Sequence, residues 1–105
     1  MAEVGPEPSY TAAVPVNFGA PAAVGTAVAG NTYTIQRGYW TSNDGALVFG
    51  QQWQFDQVDI PSATATSYVT TNGVDEGKKV RVGERATNDT GISDYTYSAE
   101  SAALA

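Results

Sequence analysis

Residues 47–55 are Leu-Val-Phe-Gly-Gln-Gln-Trp-Gln-Phe, and they follow the turn sequence Asn43-Asp44-Gly45. Asn, Asp and Gly tolerate positive φ, so this turn predicts a chain reversal into a new strand. Side chains alternate between the two faces of a strand. The stretch therefore predicts a long strand with one largely aromatic face formed by Phe49, Gln51, Trp53 and Phe55.

Short strand patterns separated by turn residues continue on both sides of this stretch, and no window shows apolar residues at helical spacing. The predicted strands are Thr32–Gln36, Val58–Ile60, Ser67–Thr71, Lys79–Val82 and Ser93–Ser98. With the strand over 47–55 and the Tyr39-Trp40 pair they make about seven strands, as in a two-sheet sandwich. The fold class is therefore all-β, and a Greek-key sandwich fits the strand spacing better than alternating strands and helices.

The composition allows one domain and argues against catalysis as a function class. The chain has 105 residues, 42% of them hydrophobic, and contains neither cysteine nor histidine. It therefore cannot form a disulfide, a thiolate nucleophile or a histidine-based metal site. Its paired acids do not match a calcium-binding loop, and no serine lies in a hydrolase motif. We expect a non-catalytic protein without cofactor or metal.

The charge of the chain argues against two classes of partner. Five Lys and Arg residues against eleven Asp and Glu residues give a net charge of −6. This sign disfavours binding to nucleic acid and to anionic membrane surfaces. The start of the chain shows neither the basic region nor the apolar region of a signal peptide, so we expect no export by that route.

The first part of the chain differs in composition from the rest. Residues 1–16 contain three prolines and two glutamates and lack strand or helix periodicity, which indicates an extended N-terminal arm before a domain over residues 17–105. The arm is either a terminus without a role or a segment that becomes ordered against a partner. In the second case Tyr10 and Val14 would be its anchors.

Four motifs occur in a fixed order: Gly38-Tyr39-Trp40, Gln52-Trp53-Gln54, Asp75-Glu76-Gly77-Lys78 and Ala86-Thr87-Asn88 with Gly91. In this order they resemble the bacterial and bacteriophage immunoglobulin-like domain family, whose members occur in phage capsid decoration and tail proteins. The resemblance implies an immunoglobulin-like Greek-key β-sandwich without a disulfide. It also implies that Trp53 is the central core tryptophan and that Val82 stands where antibody domains carry a cysteine.

The strand patterns and the resemblance together predict the core. We expect it to contain Tyr33, Ile35, Trp40, Trp53, Tyr68, Val80 and Val82.

Glu84 departs from the family pattern, which usually has an inward-facing valine at this position. A buried, unpaired carboxylate would be costly. Either a bulge at Gly83 turns Glu84 to solvent, or Glu84 pairs with Arg85 or Arg37. The functional alternative is that Glu84 belongs to an altered sheet edge that contacts a partner.

The last predicted strand carries Tyr95 and Tyr97 on one face, and tyrosine is favoured where one end of a ring is buried and the other wet. We expect these two residues in an interface, with a place in the core as the alternative. A second aromatic set could form a sugar-stacking platform, although most of its members are expected in the core: Tyr39, Trp40, Phe49, Trp53 and Phe55.

The resemblance implies a domain type, and the context selects its function. The leading hypothesis is a virion structural protein, a phage capsid decoration or cement protein that binds the assembled head. Its partner would be the major capsid protein or another virion protein, and its location the capsid surface after assembly in the host cytoplasm. The alternative is a glycan-binding or spacer module of a secreted bacterial enzyme or adhesin. Association of the chain with itself is left open.

Overall fold

The computed structural model describes residues 11–105, and Tyr10 lies outside this range. Within it the chain forms nine β-strands and no helix. They are β1 (Val16–Gly19), β2 (Ala22–Val24), β3 (Thr32–Gln36), β4 (Tyr39–Thr41), β5 (Val48–Phe55), β6 (Val58–Asp59), β7 (Ser67–Val69), β8 (Val80–Thr87) and β9 (Thr96–Tyr97). None of the described residues belongs to a helix that could cross a membrane.

The strands form three antiparallel sheets. The largest has four strands in the order β6-β5-β8-β9, the second has the order β2-β3-β7, and β1 pairs with β4 in a two-stranded ribbon. The four-stranded and three-stranded sheets contribute side chains to a common core, which makes the fold β-sandwich-like. The structure thus confirms the predicted all-β class.

The pairing of β5 with β8 is the longest in the molecule and fixes which side chains face the core. It runs without interruption from Val48 opposite Thr87 to Phe55 opposite Val80. Trp53 lies opposite Val82, and both are fully buried, at 0% exposure. Because side chains alternate along each strand, the residues beside these two face outward.

The core is centred on Trp53. The rings of Tyr33 and Tyr68 lie on this indole with centroid distances of 6.5 and 6.4 Å. The indole N–H of Trp53 donates a hydrogen bond to the carbonyl of Ala65 at 2.8 Å. Of the residues expected in the core, Tyr33, Trp53, Val80 and Val82 are buried, while Ile35 and Tyr68 pack against them half-buried. Trp40 is half-buried but lies outside this cluster.

Both ends of the described chain are attached to the sandwich. The carbonyl of Ala13 accepts a hydrogen bond from the Asn88 side chain at 2.8 Å, and Pro15 is buried. At the other end Leu104 is buried, and its backbone N–H donates to the carbonyl of Lys78. The described part of the predicted arm therefore lies against the domain, with Val14 exposed on it.

Candidate binding surface

The outward face of the four-stranded sheet carries a row of arginine and tyrosine side chains. Val80 and Val82 point into the core, so Arg81, Gly83 and Arg85 lie on the opposite face of β8. On the neighbouring strand Tyr97 is opposite Gly83, which brings Tyr97 to the same outward face. The hairpin between β8 and β9 thus places residues distant in sequence side by side.

The order along the sheet is Arg81, Tyr97, Tyr95, Arg85, and these four residues are called the arginine–tyrosine row below. The Arg81 guanidinium carbon lies 4.1 Å from the centroid of the Tyr97 ring. The two tyrosine rings are stacked, with centroids 6.1 Å apart and an interplanar angle of 30°. The Arg85 guanidinium carbon lies 4.6 Å from the Tyr95 centroid. These distances are in the range of cation–π attraction.

Gly83 makes room for the row. A Cβ at this position would lie 2.7 Å from Cε1 of Tyr97 and 3.2 Å from Cδ1 of Tyr95. Both rings therefore lie over the glycine backbone, at a place where any side chain would displace them. The absence of a side chain at Gly83 lets the two tyrosine rings lie close to the sheet.

Hydrogen bonds hold one end of the row. Arg81 Nε donates to Gln54 Oε1 at 2.7 Å, and the Gln54 amide donates to Asp59 at 2.7 Å. Among residues 11–105, neither Arg81 nor Arg85 forms an ion pair. Tyr97 remains 36% exposed and Tyr95 is half-buried. The row thus presents two guanidinium groups without a direct ion pair on an ordered surface.

The geometry of the row limits what it can bind. Each tyrosine ring has an arginine on one side along the row and the other tyrosine on the opposite side, so few ring faces remain for stacking on a sugar. The ring edges, the phenol groups and the outer guanidinium N–H groups remain for hydrogen bonding and charge attraction. The arrangement suits a polar, negatively charged partner better than a flat apolar one.

Glu84, predicted as an interface candidate, is buried and fully occupied by contacts within the chain. Its side chain has 0% exposure. The carboxylate accepts hydrogen bonds from Arg37 Nε at 3.1 Å, from the Gly38 backbone N–H at 2.8 Å and from the Trp40 indole N–H at 2.8 Å. The predicted interface role is therefore corrected, because a partner cannot reach this side chain. Of the two arginines considered as partners, Arg37 is the one that pairs with it.

The bulge considered at Gly83 is also absent. The register of β8 against β5 continues through Gln52 opposite Gly83 and Gln51 opposite Glu84. A bulge is unnecessary, since the three donors compensate the buried charge. These donors lie 44 to 47 residues before Glu84 in the chain, so the sequence around Glu84 does not predict them.

A second candidate site is a cleft of about 550 Å³ at one end of the sandwich. Its apolar wall includes Phe55 and Tyr68, whose rings meet edge to face at 5.7 Å. On its polar side Lys78 pairs with the buried Asp75 at 3.2 Å. Burial raises the pKa of the Tyr68 phenol and the charge of Asp75 raises it further, while Lys78 opposes both effects.

An exposed aromatic pair forms a third surface feature, on the two-stranded ribbon. Phe18 of β1 is 66% exposed and Tyr39 of β4 is 64% exposed. Their ring centroids are 5.8 Å apart. Of the aromatic set considered as a sugar platform, Tyr39 is exposed, whereas Trp53 is fully buried and Phe49 is half-buried beneath the Arg37 guanidinium. Phe18 was not part of that set.

No cluster of three or more acidic residues suited to hold a metal ion occurs between residues 11 and 105. Comparison of the chain with protein-family models, with curated proteins and with solved structures finds no match in any of the three.

Proposed function

We propose that this chain is a non-catalytic binding module with an immunoglobulin-like Greek-key sandwich fold. The strand orders β2-β3-β7 and β6-β5-β8-β9 support this topology, because immunoglobulin-like domains distribute their strands over two facing antiparallel sheets in a similar way. The central Trp53 packed against Val82 supports it as well. The fold supplies a rigid support for a contact surface.

The arginine–tyrosine row is the observation that carries the proposed function. Its two arginines have no ion-pair partner among the described residues, and its tyrosines are ordered by stacking. Tyrosine and arginine are among the residue types enriched in protein interfaces. Because three of its four residues lie on strands β8 and β9 and Tyr95 stacks on Tyr97, the side chains are positioned before binding and lose little further freedom in a complex.

The module acts, in this proposal, as a decoration protein of a virion. It attaches to the major capsid protein or another virion protein and stabilises the assembled particle by binding it in preference to the free subunits. The resemblance of the ordered motifs around Gly38, Trp53, Asp75 and Asn88 to the bacteriophage immunoglobulin-like family supports this context. The surface of the particle would be its location.

Electron cryomicroscopy tests this proposal directly. Particles purified from the source that encodes the chain are imaged, and the protein composition of the same preparation is measured by mass spectrometry. We expect density for the sandwich at regular positions on the shell, with the outward face of the four-stranded sheet turned toward a neighbour. Absence of the chain from every particle would exclude the decoration function.

The exposed pair Phe18 and Tyr39 favours a second candidate function, binding of a glycan by a module of a secreted enzyme or adhesin. Exposed ring faces can stack on sugar rings. A glycan array with the wild-type chain and the Tyr39→Ala variant separates the two functions. Binding that is lost in this variant supports the glycan module, whereas an array without signal leaves the decoration proposal in first place.

A further inference from the structure

We propose that the arginine–tyrosine row binds an extended acidic segment of a partner protein, with carboxylates four residues apart. This inference rests on the proposed function, because it names the chemistry of the surface that the module contacts.

Charge complementarity is the first argument. The chain carries a net charge of −6, yet neither Arg81 nor Arg85 in the row forms an ion pair among residues 11–105. Most of the surface therefore repels an acidic partner, whereas this face attracts it. Attraction at one place and repulsion elsewhere orient the partner on the row.

The spacing of the two arginines is the second argument. Arg81 and Arg85 are four residues apart on one face of β8, which corresponds to about 13 Å at the rise of a β-strand. An extended partner segment has nearly the same rise per residue, so carboxylates at positions i and i+4 lie opposite the two guanidinium groups. A helical segment would place the same carboxylates only about 6 Å apart.

Preorganisation is the third argument. The hydrogen bond from Arg81 to Gln54 and the ring contacts of both arginines fix the guanidinium groups, each of which can still donate to a carboxylate. The phenol groups of Tyr95 and Tyr97 lie between them and can donate to backbone carbonyls of the segment. The row thus offers both charge and backbone recognition.

A nucleic acid fits the row less well, although it is also an acidic polymer. Binding along a phosphate backbone needs cations at many successive positions. The whole chain has five Lys and Arg residues against eleven acids, and Arg37 is already paired with Glu84.

The test is an NMR titration of the full 105-residue chain, labelled with ¹⁵N, in low-salt buffer. The probe is a synthetic glycine–serine peptide that carries two glutamates four residues apart, and the comparison peptide has the same composition with adjacent glutamates. We expect the spaced peptide to shift the side-chain Nε–Hε resonances of Arg81 and Arg85 and to bind more tightly than the adjacent one. Raising the salt concentration should weaken the binding of both peptides.

Three variants make the titration specific to the row. Arg81→Gln and Arg85→Gln should each lower the affinity for the spaced peptide by about fivefold, which is the size of one exposed charge contact. Lys79→Gln removes an exposed positive charge that lies outside the row, so it controls for the change in net charge, and it should weaken binding less than either arginine substitution. The dispersion of each variant's amide spectrum verifies that the variant is folded.

Two results would overturn the inference. One is equal binding of the spaced and adjacent peptides to wild type and arginine variants. The other is a stronger response of the row to an oligothymidylate of equal charge.

Particle binding separates this inference from the proposed function. The wild-type chain and the Arg81→Gln/Arg85→Gln variant are added to particles stripped of the protein. If both occupy the particles equally, the row is not the contact and the decoration function stands. If the wild-type chain itself does not bind, the decoration function fails whatever the peptides show.

Discussion

The Glu84 carboxylate oxygen Oε1 accepts a hydrogen bond from the indole N–H of Trp40 at 2.8 Å. The same oxygen accepts a second hydrogen bond from the backbone N–H of Gly38 at 2.8 Å. Glu84 belongs to the four-stranded sheet, whereas Trp40 belongs to the two-stranded ribbon. One buried carboxylate therefore joins two sheets that share no strand. Removing one partner of such a network leaves buried polar groups unpaired, which is costly.

Glu84→Ala should lower the free energy of unfolding by about 2–4 kcal/mol, because the N–H groups of Gly38 and Trp40 lose their acceptor, whereas the half-exposed Arg37 remains accessible to water. Glu84→Gln should cost less, about 1–3 kcal/mol, since its amide oxygen still accepts. Urea denaturation measures both. Glu100→Gln is the control, because Glu100 is exposed, and it should change stability by less than about 0.5 kcal/mol. Equal stability of Glu84→Ala and the control would contradict the bridging role.

Gly83→Ala should destabilise the chain by about 1–3 kcal/mol, since its Cβ would collide with the ring of Tyr97. Gly50→Ala on the same outward face is the matched control, because its Cβ would lie 3.7 Å from the Arg85 side chain, an ordinary contact. Neither glycine has positive φ, so the comparison isolates the steric effect. Thermal unfolding and the ring proton shifts of Tyr95 and Tyr97 report it. Similar ring proton shifts in both variants would show that the positions of the two tyrosine rings do not depend on Gly83.

Val82→Ala should cost about 2–3 kcal/mol, because the lost methyl groups leave a cavity beside Trp53. Val58→Ala makes the same chemical change at a position that is 68% exposed, and it should cost less than about 0.5 kcal/mol. Denaturant titration followed by tryptophan fluorescence compares the two. A small effect of Val82→Ala would place the core elsewhere.

The raised pKa of Tyr68 predicts a pH dependence. The folded chain holds the phenol proton more tightly than the unfolded chain does. At high pH the unfolded chain therefore loses this proton first, and the free energy of unfolding falls. This contribution to stability is complete below the ordinary tyrosine pKa of about 10 and is lost as pH rises through the raised value. Tyr68→Phe should therefore lose less stability than wild type between these two pH values, as measured by urea denaturation across the alkaline range.

Lys78→Gln should raise the pKa of Tyr68 further, because Lys78 is the charge that lowers it. Lys79→Gln, an exposed neighbour, serves as the comparison and should leave the titration close to that of wild type. The difference in tyrosinate absorbance between each variant and its Tyr68→Phe counterpart isolates this residue. A lower midpoint in Lys78→Gln would refute the assignment of causes.

The arginine–tyrosine row could be predicted only in part. Alternation along the last strand placed Tyr95 and Tyr97 on one face, and the structure brings them together at 6.1 Å. The contact of Arg81 and Arg85 with these tyrosines could not be predicted, because the sequence does not state which residue of β9 lies opposite Gly83. Strand register depends on contacts across the hairpin, and a shift of one residue would have turned the tyrosines inward.

A period of two along single strands can be read from the sequence alone. It predicts the all-β class, the long central strand around Trp53 and the burial of the alternating residues Val80 and Val82. The role of Glu84 depends instead on contacts between sheets. Its donors come from residues 37, 38 and 40, which reach it when one sheet packs near another, and burial of a charge is tolerated only where such donors converge.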